Sequence, residues 1–130
     1  MSNHDLSKYR IDQADECLGS ARKNLVMEEY KTAANRSYYC VFNAMKSILA
    51  LDEIDFKKHS AVISYFRQTY IKTGVFEVKL SDFLEELFRV RGASDYDDFF
   101  IVSKKDVEQQ IEKAEYFLNE IKEHLKMRSK

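Results

Sequence analysis

An arginine near the end of an apolar helical stretch is the first residue of this chain that could do chemistry. Arg91 lies four residues after Leu87 and seven after Leu84, so a helix would place it on or beside its apolar face. A guanidinium there keeps its charge and needs a carboxylate, a carbonyl or a bound anion. Two interpretations stay open: an ion pair with Asp95, or a planar fork that binds phosphate.

The pair Asp95-Tyr96 follows Arg91 closely and allows two interpretations as well. In one, Asp95 organises a turn and Tyr96 covers the edge of the core. In the other, the Tyr96 hydroxyl points toward the anion that Arg91 binds. A tyrosine with its ordinary pKa near 10 is a poor general base at neutral pH, but it can donate a hydrogen bond or be modified.

A second polar set falls within a long helical stretch. Arg36 and Tyr39 are three residues apart and Asn43 lies one turn further, so the three share a helix face. An arginine next to tyrosines on such a helix either packs in the structure or lines a cleft. In the second case these residues are candidates for binding a phosphate or a nucleotide.

His59 is the histidine best placed for proton transfer, provided that it faces Arg91. The alternative is a cap or surface residue in front of a helix. His4 and His124 lie near the termini, and we expect both to be exposed.

Composition excludes several other classes of function. The 130 residues carry a net charge of −1, so nucleic acid could bind only through a local positive patch. Cys17 and Cys40 are too few for a disulfide framework and are predicted to be buried thiols. The sequence contains no phosphate-loop, dinucleotide or metal-ligand motif, so we expect no cofactor and no metal. It also lacks an apolar leader or spanning segment, and we expect a cytoplasmic protein.

These candidate residues must be positioned by helices. Proline is absent, and apolar residues recur every three or four positions. The predicted helices run from Leu6 to Val26, from Glu29 to Leu51, from Ser60 to Lys72, from just after Ser81, and from Ser103 onward. Ser81 and Ser103 are predicted N-caps, and Gly19 is predicted to mark a close helix–helix approach.

The predicted architecture is an all-α, up-and-down bundle of four long helices and one short one, in a single domain over residues 1–130. The second helix is apolar around much of its circumference, so we expect it to be central. Residues 94–98 are predicted to form an irregular turn after Gly92, and Phe83, Leu84, Leu87 and Phe88 to form the core face of the fourth helix.

Three blocks in this order resemble the HEPN superfamily, more narrowly its stand-alone bacterial and archaeal proteins encoded beside a small nucleotidyltransferase. The blocks are residues 34–42 (ANRSYYCVF), 58–60 (KHS) and 91–97 (RGASDYD), followed by a long last helix. The resemblance covers about Leu6 to Leu125. It implies a bundle of four to five helices that forms a two-fold dimer.

The resemblance also implies a chemistry. Many members are metal-independent ribonucleases with an Arg-x(4–6)-His motif at the dimer cleft, where the arginine holds the scissile phosphate and the histidine assists the ribose 2′-hydroxyl. Arg91 matches the motif arginine, but Tyr96 occupies the position where the histidine is expected. In related toxin–antitoxin pairs the nucleotidyltransferase adenylylates a tyrosine near the motif, which makes Tyr96 a candidate acceptor.

Three hypotheses follow for function. The first is a module that binds nucleotide or RNA through Arg91, Arg36 and tyrosine hydroxyls, and that partners a nucleotidyltransferase in a toxin–antitoxin-like or regulatory pair. The second is a metal-independent endoribonuclease toxin in which His59 replaces the missing base. The third is purely structural: Arg91 pairs with Asp95 and the bundle serves oligomerisation.

Overall fold

The computed structural model describes residues 2–96 and 101–129, without the side chains of residues 93–96. The described residues form five α-helices: α1 (Asn3–Val26), α2 (Tyr30–Leu51), α3 (His59–Phe66), α4 (Lys79–Tyr96) and α5 (Lys104–Arg128). No strand occurs within these ranges. The all-α helical bundle predicted from the sequence is confirmed.

The first helix begins at a reciprocal cap and packs along α2. The Ser2 Oγ accepts from the Asp5 N–H at 3.1 Å, and the Asp5 carboxylate accepts from the Ser2 N–H. The apolar residues that recur every three or four positions along α1 face the core, and Ala14, Leu18 and Ala21 among them are buried. The predicted close approach at Gly19 is wrong, because a Cβ there would meet no atom within 4 Å.

Helices α1 and α2 both end in turns that are made by a glutamate in the left-handed region. Glu28 has φ of 62° and Glu53 has φ of 60°. In each turn, the glutamate N–H and the N–H that follows it donate to carbonyls of the last helical turn at 2.8–3.2 Å. This is the Schellman arrangement, which reverses the chain and satisfies carbonyls that would otherwise lack donors.

Helix α2 is central, as its pattern predicts, and it contacts all four other helices. Its buried residues include Met45 and Ile48, which are fully enclosed together with Phe66 of α3 and Phe117 of α5. Both thiols, Cys17 and Cys40, are buried and free, as predicted. Burial raises the pKa of each, so both stay protonated at neutral pH.

Four local expectations are wrong. Helix α4 begins at Lys79 and not after Ser81, whose N–H already donates to the Val78 carbonyl at 2.9 Å. Residues 94–96 continue α4 as helix instead of beginning a turn, and residues 97 and 98 of the predicted turn lie outside the described residues. Phe88 is 43 % exposed, although it was assigned to the core face. His124 packs at 5.2 Å from the ring of Phe76 and is not a free surface residue.

The third helix also differs from its prediction in its last turn. After Phe66 the chain continues as a π-helical turn over Arg67–Ile71 and then closes at Gly74, which has φ of 84°. A π-turn holds one more residue than an α-turn, so it changes which side chains face the core. Across this turn Phe66, Tyr70 and Ile71 are all buried, and the rings of Phe66 and Tyr70 have centroids 5.7 Å apart.

The end of α5 is linked to the end of α2 by the Asp52 carboxylate, which accepts three hydrogen bonds. The Asp52 carboxylate accepts from the hydroxyls of Tyr65, at 3.0 Å, and of Tyr70, and from Arg128 Nη2 at 3.0 Å. Arg128 Nη1 also donates to the Tyr70 oxygen at 3.0 Å. We call Asp52, Tyr65, Tyr70 and Arg128 the Asp52 clasp.

Candidate functional site

Two adjacent tyrosines on the central helix organise the candidate site. The 3.6-residue repeat of α2 points Tyr38 inward, where it is 3 % exposed, and leaves Tyr39 half-buried at the edge. Their rings meet edge to face, with centroids 5.1 Å apart. The pair therefore presents one enclosed and one accessible hydroxyl to the start of α3 and the end of α4.

His59, the first residue of α3, binds to the enclosed tyrosine. Its Nδ1 lies 3.0 Å from the Tyr38 hydroxyl, and its ring packs on Phe42 with centroids 4.1 Å apart. The imidazole is also 5.8 Å from the Tyr39 ring, in an edge-to-face arrangement. His59 is therefore held by α2 in a fixed orientation.

Arg91 reaches the same two tyrosines from α4. Its guanidinium carbon lies 5.2 Å from the centre of the Tyr38 ring and 5.8 Å from that of Tyr39. Its Nη2 donates a long hydrogen bond to the Tyr39 hydroxyl at 3.4 Å. The structure thus brings His59 and Arg91 to one place, with Tyr38 in contact with both. We call Tyr38, Tyr39, His59 and Arg91 the Arg91 cluster.

The electrostatics of the cluster keep its histidine neutral. Burial lowers the pKa of His59 below its usual value, and the positive charges of Arg91 and Lys46 lower it further. Burial raises the pKa of Tyr38 to about 12. At neutral pH the cluster therefore combines one fixed positive charge with an uncharged imidazole and an uncharged phenol.

Arg36 and Asn43, the other polar residues predicted on this face of α2, lie beside the cluster and make hydrogen bonds within α2. Arg36 donates twice to the side-chain amide oxygen (Oδ1) of Asn35, at 3.1 and 2.7 Å, and its guanidinium lies 5.2 Å from the Tyr39 ring. Asn43 donates to the Tyr39 carbonyl at 2.9 Å. The Tyr39 ring thus lies within 6 Å of two guanidinium groups, whereas the Asn43 amide donates to the backbone of α2 and, at 4.0 Å, to the Cys17 sulfur of α1.

The side chains of Asp95 and Tyr96 lie outside the described residues. The proposed ion pair of Arg91 with Asp95 and the role of the Tyr96 hydroxyl therefore stay predictions. The cluster does include one residue that the sequence did not mark as functional. Tyr38 lies on a helix that is apolar around much of its circumference, and only the approach of His59 from α3 shows that its hydroxyl belongs to the site.

A cavity of about 400 Å³ lies between α3 and α4 and adjoins the Arg91 cluster. Ser60 and Phe88 line its end near the cluster, and the Phe88 ring lies 6.2 Å from that of Tyr38. At the other end, Arg67 donates to the Ser81 carbonyl at 3.2 Å. The start of α3 and the end of α4 meet at Tyr38, through His59 and Arg91, and Arg67 after α3 binds Ser81 near the start of α4. The two helices therefore run antiparallel on either side of what we call the α3–α4 cavity.

The described ranges contain no cluster of three or more residues that could hold a metal ion. Within the same ranges, no helix combines the length and apolar character that crossing a bilayer requires.

The sequence of the chain matches a known protein family. The family model described as "HEPN domain" matches residues 7–125. "Putative toxin MJ0142" of Methanocaldococcus jannaschii is 33% identical over 115 residues, which cover 88% of this chain and 78% of that protein. A "UPF0332 protein" of Thermotoga maritima is also 33% identical, over 88% of this chain and 86% of its own length.

A solved structure agrees with these sequence matches at the level of the fold. The crystal structure of ST0689, described as an archaeal HEPN homologue, superposes with a TM-score of 0.64 at 21% identity and covers 91% of this chain and 96% of that one. The order of the helices, the matched span of the family model and the related sequences all agree: the chain is a member of the HEPN family.

Proposed function

We propose that the Arg91 cluster binds a phosphate group of RNA or of a nucleotide. The observation that carries this proposal is the position of the Arg91 guanidinium at a half-exposed edge, over two tyrosine rings and near a neutral histidine. A guanidinium fork matches phosphate oxygens, and the Tyr39 hydroxyl is a further donor beside it. Arg36, whose guanidinium carbon lies 5.2 Å from the centre of the Tyr39 ring, adds a second positive charge nearby.

The test compares arginines on the same helix. Arg91→Ala is expected to weaken binding of a labelled single-stranded RNA by about ten-fold or more, because a hydrogen bond to a charged group contributes about 1.5–3 kcal/mol. Arg91→Lys keeps the charge without the fork and should bind with intermediate affinity. The control is Arg89→Ala, since Arg89 is exposed and pairs with Glu86 at 2.9 Å.

Fluorescence anisotropy at two salt concentrations would measure these affinities. An equal loss in the Arg89 and Arg91 variants would indicate only non-specific attraction and would contradict the proposal. If Arg91→Ala lowers stability and leaves RNA binding unchanged, Arg91 has a structural role instead.

A metal-independent endoribonuclease is the second candidate, and the contact between His59 and Tyr38 favours it. If the Nδ1–H donates to the Tyr38 oxygen, Nε2 carries a lone pair and can take the proton of a ribose 2′-hydroxyl. The 2′-oxygen would then attack phosphorus, and the 5′-oxygen would leave with a proton from water. The name "Putative toxin" of the Methanocaldococcus relative is consistent with such an activity.

Cleavage of RNA in the presence of EDTA separates the two candidates. The endoribonuclease predicts cleavage by the wild type that both His59→Ala and Arg91→Ala remove. The binding module predicts intact RNA with all three proteins and weaker binding for Arg91→Ala.

The proposal extends to assembly, on the strength of the resemblance to stand-alone HEPN proteins. We propose that the chain forms a two-fold dimer and partners a small nucleotidyltransferase, with Tyr96 as a candidate acceptor of a nucleotidyl group. A nucleotidyltransferase gene beside this one would support the pairing. Co-purification of the two proteins, followed by mass spectrometry of wild type and Tyr96→Phe, would test the pairing and the modification.

A further inference from the structure

The α3–α4 cavity has the size of a small-molecule site and opens beside the Arg91 cluster. Its volume of about 400 Å³ falls within the range of roughly 300–1,000 Å³ that is usual for ligand pockets. Arg91 follows Phe88 by three residues on α4, or about 4.5 Å along the helix axis. On α3, Ser60 directly follows His59. The cavity therefore continues from the cluster along the same two helices.

The cavity is lined by apolar surface with polar groups at its rim. Ile63 and Leu84 form the apolar part, and Ser60, Ser64, Gln68 and Glu85 contribute polar side chains. Arg67 and Glu85 carry opposite charges, so the lining has no net charge to attract a second phosphate. Such a lining suits an uncharged, flat group that presents hydrogen-bonding edges.

The cavity has an exposed aromatic ring at its end near the Arg91 cluster, and such rings are common stacking surfaces for nucleic-acid bases. Phe88 lines the cavity and is 43 % exposed, so a face or edge of its ring is available to a ligand. Bases of single-stranded nucleic acids stack on exposed aromatic side chains in this way. Phe88 was also the one residue of the predicted core face of α4 that the fold leaves exposed.

We propose that the α3–α4 cavity binds the base of the nucleotide whose phosphate contacts the Arg91 cluster. This inference rests on the proposed function, because the phosphate fixes which end of the ligand faces Arg91. The base stacks on Phe88, its edge faces Gln68 and Glu85, and the ribose passes Ser60. The same chemistry serves a free nucleotide or one nucleotide within an RNA chain.

Three probes separate the base from the phosphate. Isothermal titration calorimetry would measure binding of AMP, of ribose 5-phosphate and of a short oligoadenylate RNA to the full chain. Adenine is a suitable base because its amino group can donate to the Glu85 carboxylate. We expect AMP to bind at least about five-fold more tightly than ribose 5-phosphate, which corresponds to the lower limit for stacking of one base.

Two variants test whether the difference in affinity between AMP and ribose 5-phosphate comes from the cavity. Ser64→Phe fills the cavity from an exposed position on α3, and Phe88→Ala removes the stacking ring. Both should reduce AMP binding to the level of ribose 5-phosphate, while binding of ribose 5-phosphate itself stays unchanged. Asn119→Phe, on the exposed face of α5, controls for an added surface aromatic. Circular dichroism would confirm that the variants are folded.

The outcomes distinguish this inference from the proposed function. Equal affinities of AMP and ribose 5-phosphate would overturn the base site and leave the phosphate site in place. If none of the three probes binds, both proposals fail. A larger effect of Ser64→Phe on the oligoadenylate than on AMP would support a base within RNA. Loss of dimerisation in Ser64→Phe, seen by sedimentation, would show a subunit interface at the cavity and would contradict the inference.

Discussion

Tyr38 connects the core of the bundle with its candidate site at the scale of a single residue. Its ring is enclosed beside Phe42 and Phe88, and its hydroxyl lies 3.0 Å from Nδ1 of His59. Tyrosine side chains suit such positions because they combine a large apolar surface with one polar atom. The hydroxyl therefore determines how the imidazole is oriented, although Tyr38 itself is almost inaccessible.

Replacement of Tyr38 by phenylalanine should separate these two roles. Tyr38→Phe keeps the ring and removes one largely buried hydrogen bond, so we expect a loss of about 1 kcal/mol in the free energy of unfolding. The His59 ring should become more mobile, with a changed tautomer equilibrium. Urea denaturation and ¹⁵N NMR of the imidazole would measure both effects. Tyr9→Phe, at an exposed position on α1, should change neither.

The lowered pKa of two histidines predicts a dependence of stability on pH. Burial lowers the pKa of His59 and of His124 below about 6.5, the usual value in an unfolded chain. Below that pH the unfolded chain takes up protons before the folded one, so stability falls as the pH falls from about 7 to 5. Urea midpoints over this range would show the effect.

A variant with His59→Gln and His124→Gln should have a flatter pH profile. A slope that persists in the double variant would assign the effect to other groups.

At the scale of helices, two serines with similar sequence surroundings have different roles. Both Ser81 and Ser103 were predicted N-caps, but only Ser103 is one: its Oγ accepts from the Asp106 N–H at 3.0 Å. Ser103→Ala should lower the free energy of unfolding by about 1 kcal/mol. Ser81→Ala is the matched comparison and should have little effect, since Arg67 binds its backbone carbonyl and not its side chain. Thermal denaturation of both variants would measure the difference.

The helices were predicted well where an apolar stripe runs over many turns, and less well elsewhere. The stripes of α1, α2 and α5 define those helices because their apolar residues recur over many turns. The start of α4 was misplaced because Lys79 and Leu80 belong to the helix without a capping side chain before them. The π-turn at Arg67–Ile71 could not be predicted, since the buried pair Phe66 and Tyr70 has the four-residue spacing that an ordinary α-helix would also bury.

The candidate site was predicted in part, and the limits are physical. Arg91, Arg36 and Tyr39 were found because charged and aromatic residues beside an apolar face are unusual. That His59 approaches Arg91 depends on how α3 and α4 pack against α2, which no local pattern in the sequence records. The α3–α4 cavity likewise exists only between two helices, so its residues gave no separate signal.

At the scale of the whole molecule, the Asp52 clasp joins the ends of three segments that are distant in sequence. Asp52 and Arg128 are 76 residues apart; the Asp52 side chain is 15% exposed and that of Arg128 31% exposed. Asp52→Ala should lower the free energy of unfolding by about 1.5–3 kcal/mol, because several donors lose a charged acceptor. Asp12→Ala, which breaks an exposed pair with Lys8, should cost about 0.3–0.5 kcal/mol.

Hydrogen exchange would show where the clasp acts. We expect faster exchange at the end of α5 in Asp52→Ala and unchanged exchange around Tyr38. If the loss in stability did not exceed that of Asp12→Ala, the clasp would be a surface contact without much energy.

The two left-handed glutamates have a consequence for engineering the protein. A side chain at positive φ destabilises the folded chain by about 1–2 kcal/mol, and glycine removes this strain. Part of the gain is lost, because glycine also increases the conformational freedom of the unfolded chain. Glu28→Gly and Glu53→Gly are therefore each expected to raise the free energy of unfolding by about 0.5–1 kcal/mol, which thermal denaturation would show as a higher melting temperature. Neither position belongs to the Arg91 cluster or lines the α3–α4 cavity. They offer a more robust background in which damaging site variants could still be purified and assayed.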